Sequence, residues 1–192
     1  MFKTTPLDLS GRCLRCLMRT PICMCPDIPT VQTRARFVIL RHTLETLKPT
    51  NTARIAHLAM PNSEIVTYGD GRALDVDAVA PDGTWVLYPE GEGGPPASGT
   101  PSRVLVLDGN WPQTRKMLQR LPRLRKLPRL TLQPNRSDRL RMKKQLSRDG
   151  MSTLEAIAAA VTLVESPEQG LVLDRLYDVM AERVMRARGL LK

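Results

Sequence analysis

Short apolar runs alternate along the chain with amphipathic stretches, and the two periods separate its elements. Residues 35–42, ARFVILRH, are apolar until a polar end, as a strand buried on both faces requires. Residues 63–69, SEIVTYG, predict a second short strand closed by Asp70-Gly71. A turn at Asp82-Gly83 leads into a third at residues 85–88. Residues 103–109, RVLVLDG, are nearly all apolar and predict the centre of a parallel sheet. PRLTLQP, at 128–134, predicts a fifth, short strand.

The helical period fills the gaps. Thr50 or Asn51 predicts an N-cap, with Ile55, Leu58 and Ala59 as the apolar face. Pro112 sits just inside a helix that begins near Asn110 or Trp111, whose free amides favour an anion. Ser152-Thr153-Leu154-Glu155 is a capping box, Ser at N-cap and Glu three residues on. Ser166-Pro167 opens a last helix that turns Leu171, Leu176, Val179, Met180 and Val184 inward and runs to Gly189. Strands alternating with helices predict an α/β fold, a mostly parallel sheet flanked by helices. Ligands of such sheets bind at the carboxyl ends of the strands. Those ends are Arg41-His42, Tyr88-Pro89-Glu90 and Asp108-Gly109-Asn110-Trp111.

Composition sharpens this in two places. At 192 residues the chain suits one domain with a small appendage, divided here as 1–32 and 33–192. Aromatics are only 4%, so Trp85 and Trp111 stand out. No run reaches the length of a membrane span and the first residues lack a signal-like apolar stretch, which points to the cytoplasm and no membrane partner.

The net charge is +10, and its distribution says more than its total. Residues 112–148 hold 13 Lys and Arg against one acid, Asp138, or +12 in 37 residues. With so few acids interleaved, the block reads as a polyanion-binding face rather than a solvated surface.

All four cysteines lie within thirteen residues: Cys13, Cys16, Cys23 and Cys25, spaced C-x2-C-x6-C-x-C. A cytosolic chain seldom keeps disulfides, and four thiolates so spaced can wrap one tetrahedral zinc. No strand precedes Cys13, as a redox C-x-x-C requires. A closed four-thiolate site leaves no open position, so the metal folds the N-terminal knuckle and does no chemistry.

At the central strand's end, Asp108 either caps a turn or serves a ligand. Trp111 either fills the core or stacks on a flat group. No G-x-G-x-x-G follows a strand and no G-x-x-x-x-G-K-[ST] occurs, so neither a Rossmann dinucleotide site nor a P-loop is supported.

The chain resembles the DTW-domain family, tRNA-uridine aminocarboxypropyltransferases. The features that carry the resemblance are the cysteine pattern, RHTLETLKPTNTARIAHL, the LYP strand end, LDGNWPQTRKML and STLEAIAAAV. One position departs: Asn110 stands where the family's Asp-x-Thr-Trp signature has threonine, and Asn can still donate and accept a hydrogen bond. The family is similar to SPOUT enzymes, whose C-terminal part is threaded as a trefoil knot holding S-adenosylmethionine. The resemblance thus implies a SPOUT-like knot, S-adenosylmethionine as cosubstrate, and transfer of its 3-amino-3-carboxypropyl group to N3 of a loop uridine in tRNA. Methylthioadenosine leaves, in an alkyl transfer of the EC 2.5.1 class.

On that reading Asp108 guides the N3 proton or binds the sulfonium. Leu87, Tyr88, Pro89, Asp108, Gly109, Asn110, Trp111, Thr153, Leu154 and Glu155 surround the cosubstrate. The tRNA meets His42, Arg54, Arg115, Lys116, Arg120, Arg136, Arg139, Arg141, Lys143 and Lys144. Two rivals remain: an RNA methyltransferase with the same pocket, and a zinc-stabilised RNA-binding module without catalysis.

Overall fold

The computed structural model describes residues 9–88, 98–132, 139–142 and 150–191. Five strands form one sheet: β1 (Arg36–His42), β2 (Ser63–Tyr68), β3 (Thr84–Leu87), β4 (Arg103–Asp108) and β5 (Arg129–Leu130). Every pairing is parallel and the order is β2-β1-β4-β3-β5. The helices are α1 (Thr52–Ala59), α2 (Val76–Val79), α3 (Trp111–Arg120), α4 (Pro122–Lys126), α5 (Thr153–Val164) and α6 (Pro167–Ala187). The fold is therefore α/β, with a parallel sheet flanked by helices.

The strands divide their side chains between two cores, as a period of two requires. Phe37, Ile39, Trp85, Leu87, Val104 and Val106 pack with α1, α5 and α6. Val38, Leu40, Val86, Leu105 and Leu107 pack with α2, α3 and α4. Both faces of β1 and β4 are thus covered, which is why those strands read as unbroken apolar runs.

The last helix differs from expectation at one position. Leu171 is 47% exposed, and the inward stripe is Leu173, Leu176, Tyr177, Met180, Ala181 and Val184. Gly170 sets this phase. A Cβ there would collide with the Thr162 side chain and the Ala158 carbonyl of α5, so the close helix contact runs through residue 170, and Leu171 lies about 100° round from it.

The cysteine segment is built into the first core: Cys16, Met18, Met24 and Val31 are buried there with α1, α5 and α6. Among the described residues no helix is long and apolar enough to cross a membrane.

Candidate active site at the ends of β1 and β4

The chain leaves β1 toward α1 on one face of the sheet and leaves β4 toward α3 on the other. Adjacent strands whose connections diverge open a crevice at their carboxyl ends. Arg41 and Asp108, paired in register, border it.

Asp108 is the last residue of β4 and only 4% exposed. Asn51 Nδ2 donates to its Oδ2 at 2.9 Å and Thr153 Oγ1 donates to its Oδ1 at 2.7 Å. Asn51 is also the N-cap of α1, its Oδ1 accepting from the Arg54 amide at 2.8 Å. Thr153 is the first residue of α5. Two helix N-termini therefore converge on one carboxylate. Burial raises the Asp108 pKa above its ordinary value; the Asn51 and Thr153 bonds oppose the rise, Glu45 adds to it, and Arg41 opposes it. The sequence predicts only the cap for Asn51. Its second bond spans 57 residues and has no local signal.

The turn after Asp108 is held by its own side chains. Asn110 Oδ1 accepts from the Gln113 amide at 3.0 Å, and Gln113 Oε1 accepts from the Asn110 amide at 2.7 Å. This second capping box engages two amides that the sequence left free for an anion, which corrects that expectation. It also explains Asn110: Asn and Thr both serve as N-caps, so the departure from the family signature keeps the cap. A Cβ on Gly109 would press on Gln113 at 3.0 Å, so glycine permits the close turn.

Trp111 is 45% exposed and is not a core residue; Trp85 is. The Trp111 ring meets Tyr88 edge-on, with centroids 5.8 Å apart and planes at 77°. The Arg129 guanidinium lies over the other ring of the pair, 5.4 Å from the Tyr88 centroid. Leu87 and Tyr88 are buried at the end of β3.

Several expected roles are reassigned. The Glu155 carboxylate accepts from the Ser152 amide at 2.8 Å and from Arg141 at 2.5 Å, with Arg139 at 3.6 Å. It is engaged inside the protein, and Leu154 beside it is fully buried. Arg139 is not available to RNA phosphate. Its side chain is 2% exposed, bonded to Asp174 at 2.5 Å and Asp178 at 2.8 Å, and stacked 4.4 Å from the Tyr177 centroid. Arg141 is turned inward by Glu155.

His42 Nδ1 accepts from the Leu44 amide at 3.2 Å, capping a short 3-10 turn, Thr43–Glu45. Arg54 donates to the Thr46 carbonyl at 2.6 Å. Arg115, Lys116 and Arg120 are exposed on α3. Pro89, Arg136, Lys143 and Lys144 lie outside the described residues.

The cysteines converge as the spacing predicts. All four Sγ atoms lie within 4.8 Å of one another, with Cys13–Cys25 at 3.5 Å and Cys16–Cys23 at 3.7 Å. A tetrahedral zinc with bonds of about 2.3 Å spaces its sulfurs by about 3.8 Å, so the cluster fits such an ion. Backbone amides of Cys16 and Arg15 bring the Cys13 thiol down to about 6, while burial pushes Cys25 up to about 12. A bound cation would remove the obstacle at Cys25, since a coordinating thiol ionises outright. From α6, Arg183 donates to the Cys23 carbonyl at 2.5 Å and pairs with Asp27 at 2.6 Å, clamping the cluster to the core.

The DTW-domain profile matches residues 10–185. This chain belongs to the DTW-domain family. Its relatives include a Drosophila melanogaster protein named tRNA-uridine aminocarboxypropyltransferase 2. That protein is 25% identical over 175 residues, which cover 84% of this chain and 69% of the relative. Proteins of the same name from Macaca fascicularis and Mus musculus are each 23% identical, covering 83% and 80% of this chain. The chain spans only 58% and 56% of those two relatives. No solved structure matches it.

Proposed function

We propose that this DTW protein is a tRNA-uridine aminocarboxypropyltransferase using S-adenosylmethionine. The observation that carries the reading is Asp108: a buried carboxylate with a raised pKa, held by two helix N-termini at the mouth of the sheet. Perturbed, desolvated acids in a crevice cluster at functional sites. The names of the relatives support the substrate and the group transferred.

The reaction is a displacement at carbon. Uridine N3 attacks Cγ of the aminocarboxypropyl chain, the N3–Cγ bond forms and the Cγ–S bond breaks. The bonding pair returns to sulfur, which leaves as the thioether of methylthioadenosine. The N3 proton goes to a base, and Asp108 is that base. Each carboxylate oxygen keeps a second lone pair after accepting from Asn51 or Thr153. A raised pKa brings the group closer to the proton's own affinity, which helps general-base transfer. Before transfer the same charge favours the sulfonium. The exposed Trp111 face, braced by Tyr88, offers a stacking surface to a flipped-out base.

The remaining parts of the reading fit around this. The C-terminal part adopts a SPOUT-like trefoil knot, and the four cysteines hold structural zinc. A cytoplasmic tRNA lies across α3 and α4, on Arg115, Lys116 and Arg120.

The test is mass spectrometry of nucleosides from tRNA incubated with the protein and S-adenosylmethionine. A uridine heavier by one aminocarboxypropyl group is expected, with methylthioadenosine as co-product. Asp108→Ala is expected to lower the rate by about 10²-fold or more. A methyl gain with S-adenosylhomocysteine would make the protein a methyltransferase. Failure to bind the cosubstrate would leave only an RNA-binding module.

A further inference from the structure

Arg41 is a buried cation with no counter-ion among the described residues. It is 8% exposed, in the row of β1 that faces α1, between Thr67 of β2 and Asp108 of β4 in register. Its one hydrogen bond among the described residues runs from a terminal nitrogen to Thr67 Oγ1, at a long 3.4 Å. Its Nε is buried with no partner among them. Asp108 is beside it, but the Asp108 oxygens are bonded to Asn51 and Thr153, and no ion pair within 4.0 Å joins the two among the described residues.

Another buried guanidinium, Arg139, shows what a satisfied one looks like, with Asp174, Asp178 and Glu155 around it. A buried charge left unpaired is costly, and native proteins keep one for a reason. Burial, then the nearby Arg54, hold Arg41 below its ordinary pKa, with Asp108 opposing; an arriving anion would reverse that balance.

We propose that Arg41 receives the α-carboxylate of the cosubstrate's amino-acid end. The assignment rests on the proposed aminocarboxypropyl transfer and deepens it. The neighbours decide the class of anion. Asp108 and Glu45 are both buried acids at this end of the sheet, Glu45 paired with Lys48 at 2.5 Å. A phosphodiester carries only negative charge and is repelled by them. An α-amino acid carries a carboxylate for Arg41 and an ammonium for the acids. A planar guanidinium also matches a carboxylate with two parallel bonds. Anchoring both ends of the amino-acid head fixes the chain beyond it, so that Cγ rather than the methyl faces the nucleophile.

Calorimetry with three probes tests this: S-adenosylmethionine, its decarboxylated form and methylthioadenosine, against the whole protein, Arg41→Gln and Arg41→Lys. The wild-type protein is expected to bind S-adenosylmethionine about 10- to 100-fold more tightly than the decarboxylated form, the span that a hydrogen bond to a charged group is worth. Arg41→Gln is expected to erase that preference and to keep methylthioadenosine binding, which also shows that the variant is folded. Arg41→Lys is expected to restore part of the preference. Equal binding of the first two probes by the wild-type protein would overturn the assignment, with no variant needed. Loss of tRNA affinity in Arg41→Gln with the preference intact would overturn it in favour of phosphate. No binding of any probe by the wild-type protein would instead remove the proposed reaction itself.

Discussion

Asp108 has both oxygens hydrogen-bonded and is still held above its ordinary pKa, because burial outweighs the two donors and Glu45 adds to it. The folded state therefore binds this proton more tightly than the unfolded chain does, whose value is 3.8. The stabilisation from this group is fully present below that value and is lost as pH rises through the folded pKa. Above the folded pKa the charged Asp108 weighs against folding. Asp108→Asn is accordingly expected to unfold about 2–4 °C above the wild type at pH 8, the shift given by about 1 kcal/mol in a chain of this size. The amide can accept from Asn51 and donate to Thr153 Oγ1. At pH 4 the difference is expected to shrink, and thermal denaturation at both values checks this. A strand ending in Asp-Gly makes Asp108 legible in the sequence. Its partners are not, since they come from 57 and 45 residues away along the chain.

Between elements, the pairing of α5 with α6 depends on a cation that reads as surface. Arg139 falls in the basic block, where the sequence predicts a phosphate ligand, yet it lies between Glu155 of α5 and Asp174 and Asp178 of α6. The two acids stand four residues apart on one helix face, and that spacing is the signal the sequence carries. Arg139→Met is expected to cost about 1.5–3 kcal/mol, because the charge-assisted bonds to Asp174 and Asp178 are lost while Arg141 still pairs with Glu155. Denaturant unfolding measures the loss, and tRNA affinity of the folded fraction is expected to stay unchanged. Caps are the most legible feature at this scale: Ser152 with Glu155, Asn51 and Ser166 all start helices as their sequences say. The Asn110–Gln113 box is less so, because an Asn at the family's threonine position reads as a departure before it reads as a cap. Leu171 misleads because apolar periodicity alone cannot tell which neighbour of Gly170 faces inward.

Across the molecule the described part of the basic block splits in two. Arg129, Arg139 and Arg141 are turned into the protein, while Lys116, Arg120, Arg125 and Lys126 stay exposed on α3 and α4. Among the described residues of the block, this exposed group, with Arg115 and Arg123, is the one placed to release counterions from RNA. For Lys116→Gln with Arg120→Gln, the slope of log affinity against log salt is expected to fall by about 0.7–0.9 for each phosphate no longer neutralised. Filter binding of tRNA across a salt series reads this directly. The α/β class follows from alternating periods, but the order β2-β1-β4-β3-β5 does not, because a strand's pattern records burial and not its lateral neighbours. The clamp from Arg183 to the Cys23 carbonyl joins residues 160 apart. During synthesis the cysteine loop, thirteen adjacent residues that could hold a metal ion, is complete early. The core beneath it stays open until α6 has been made, 160 residues later. This protein therefore closes late, and Met18 and Met24 must wait, uncovered, for the last helix to reach them.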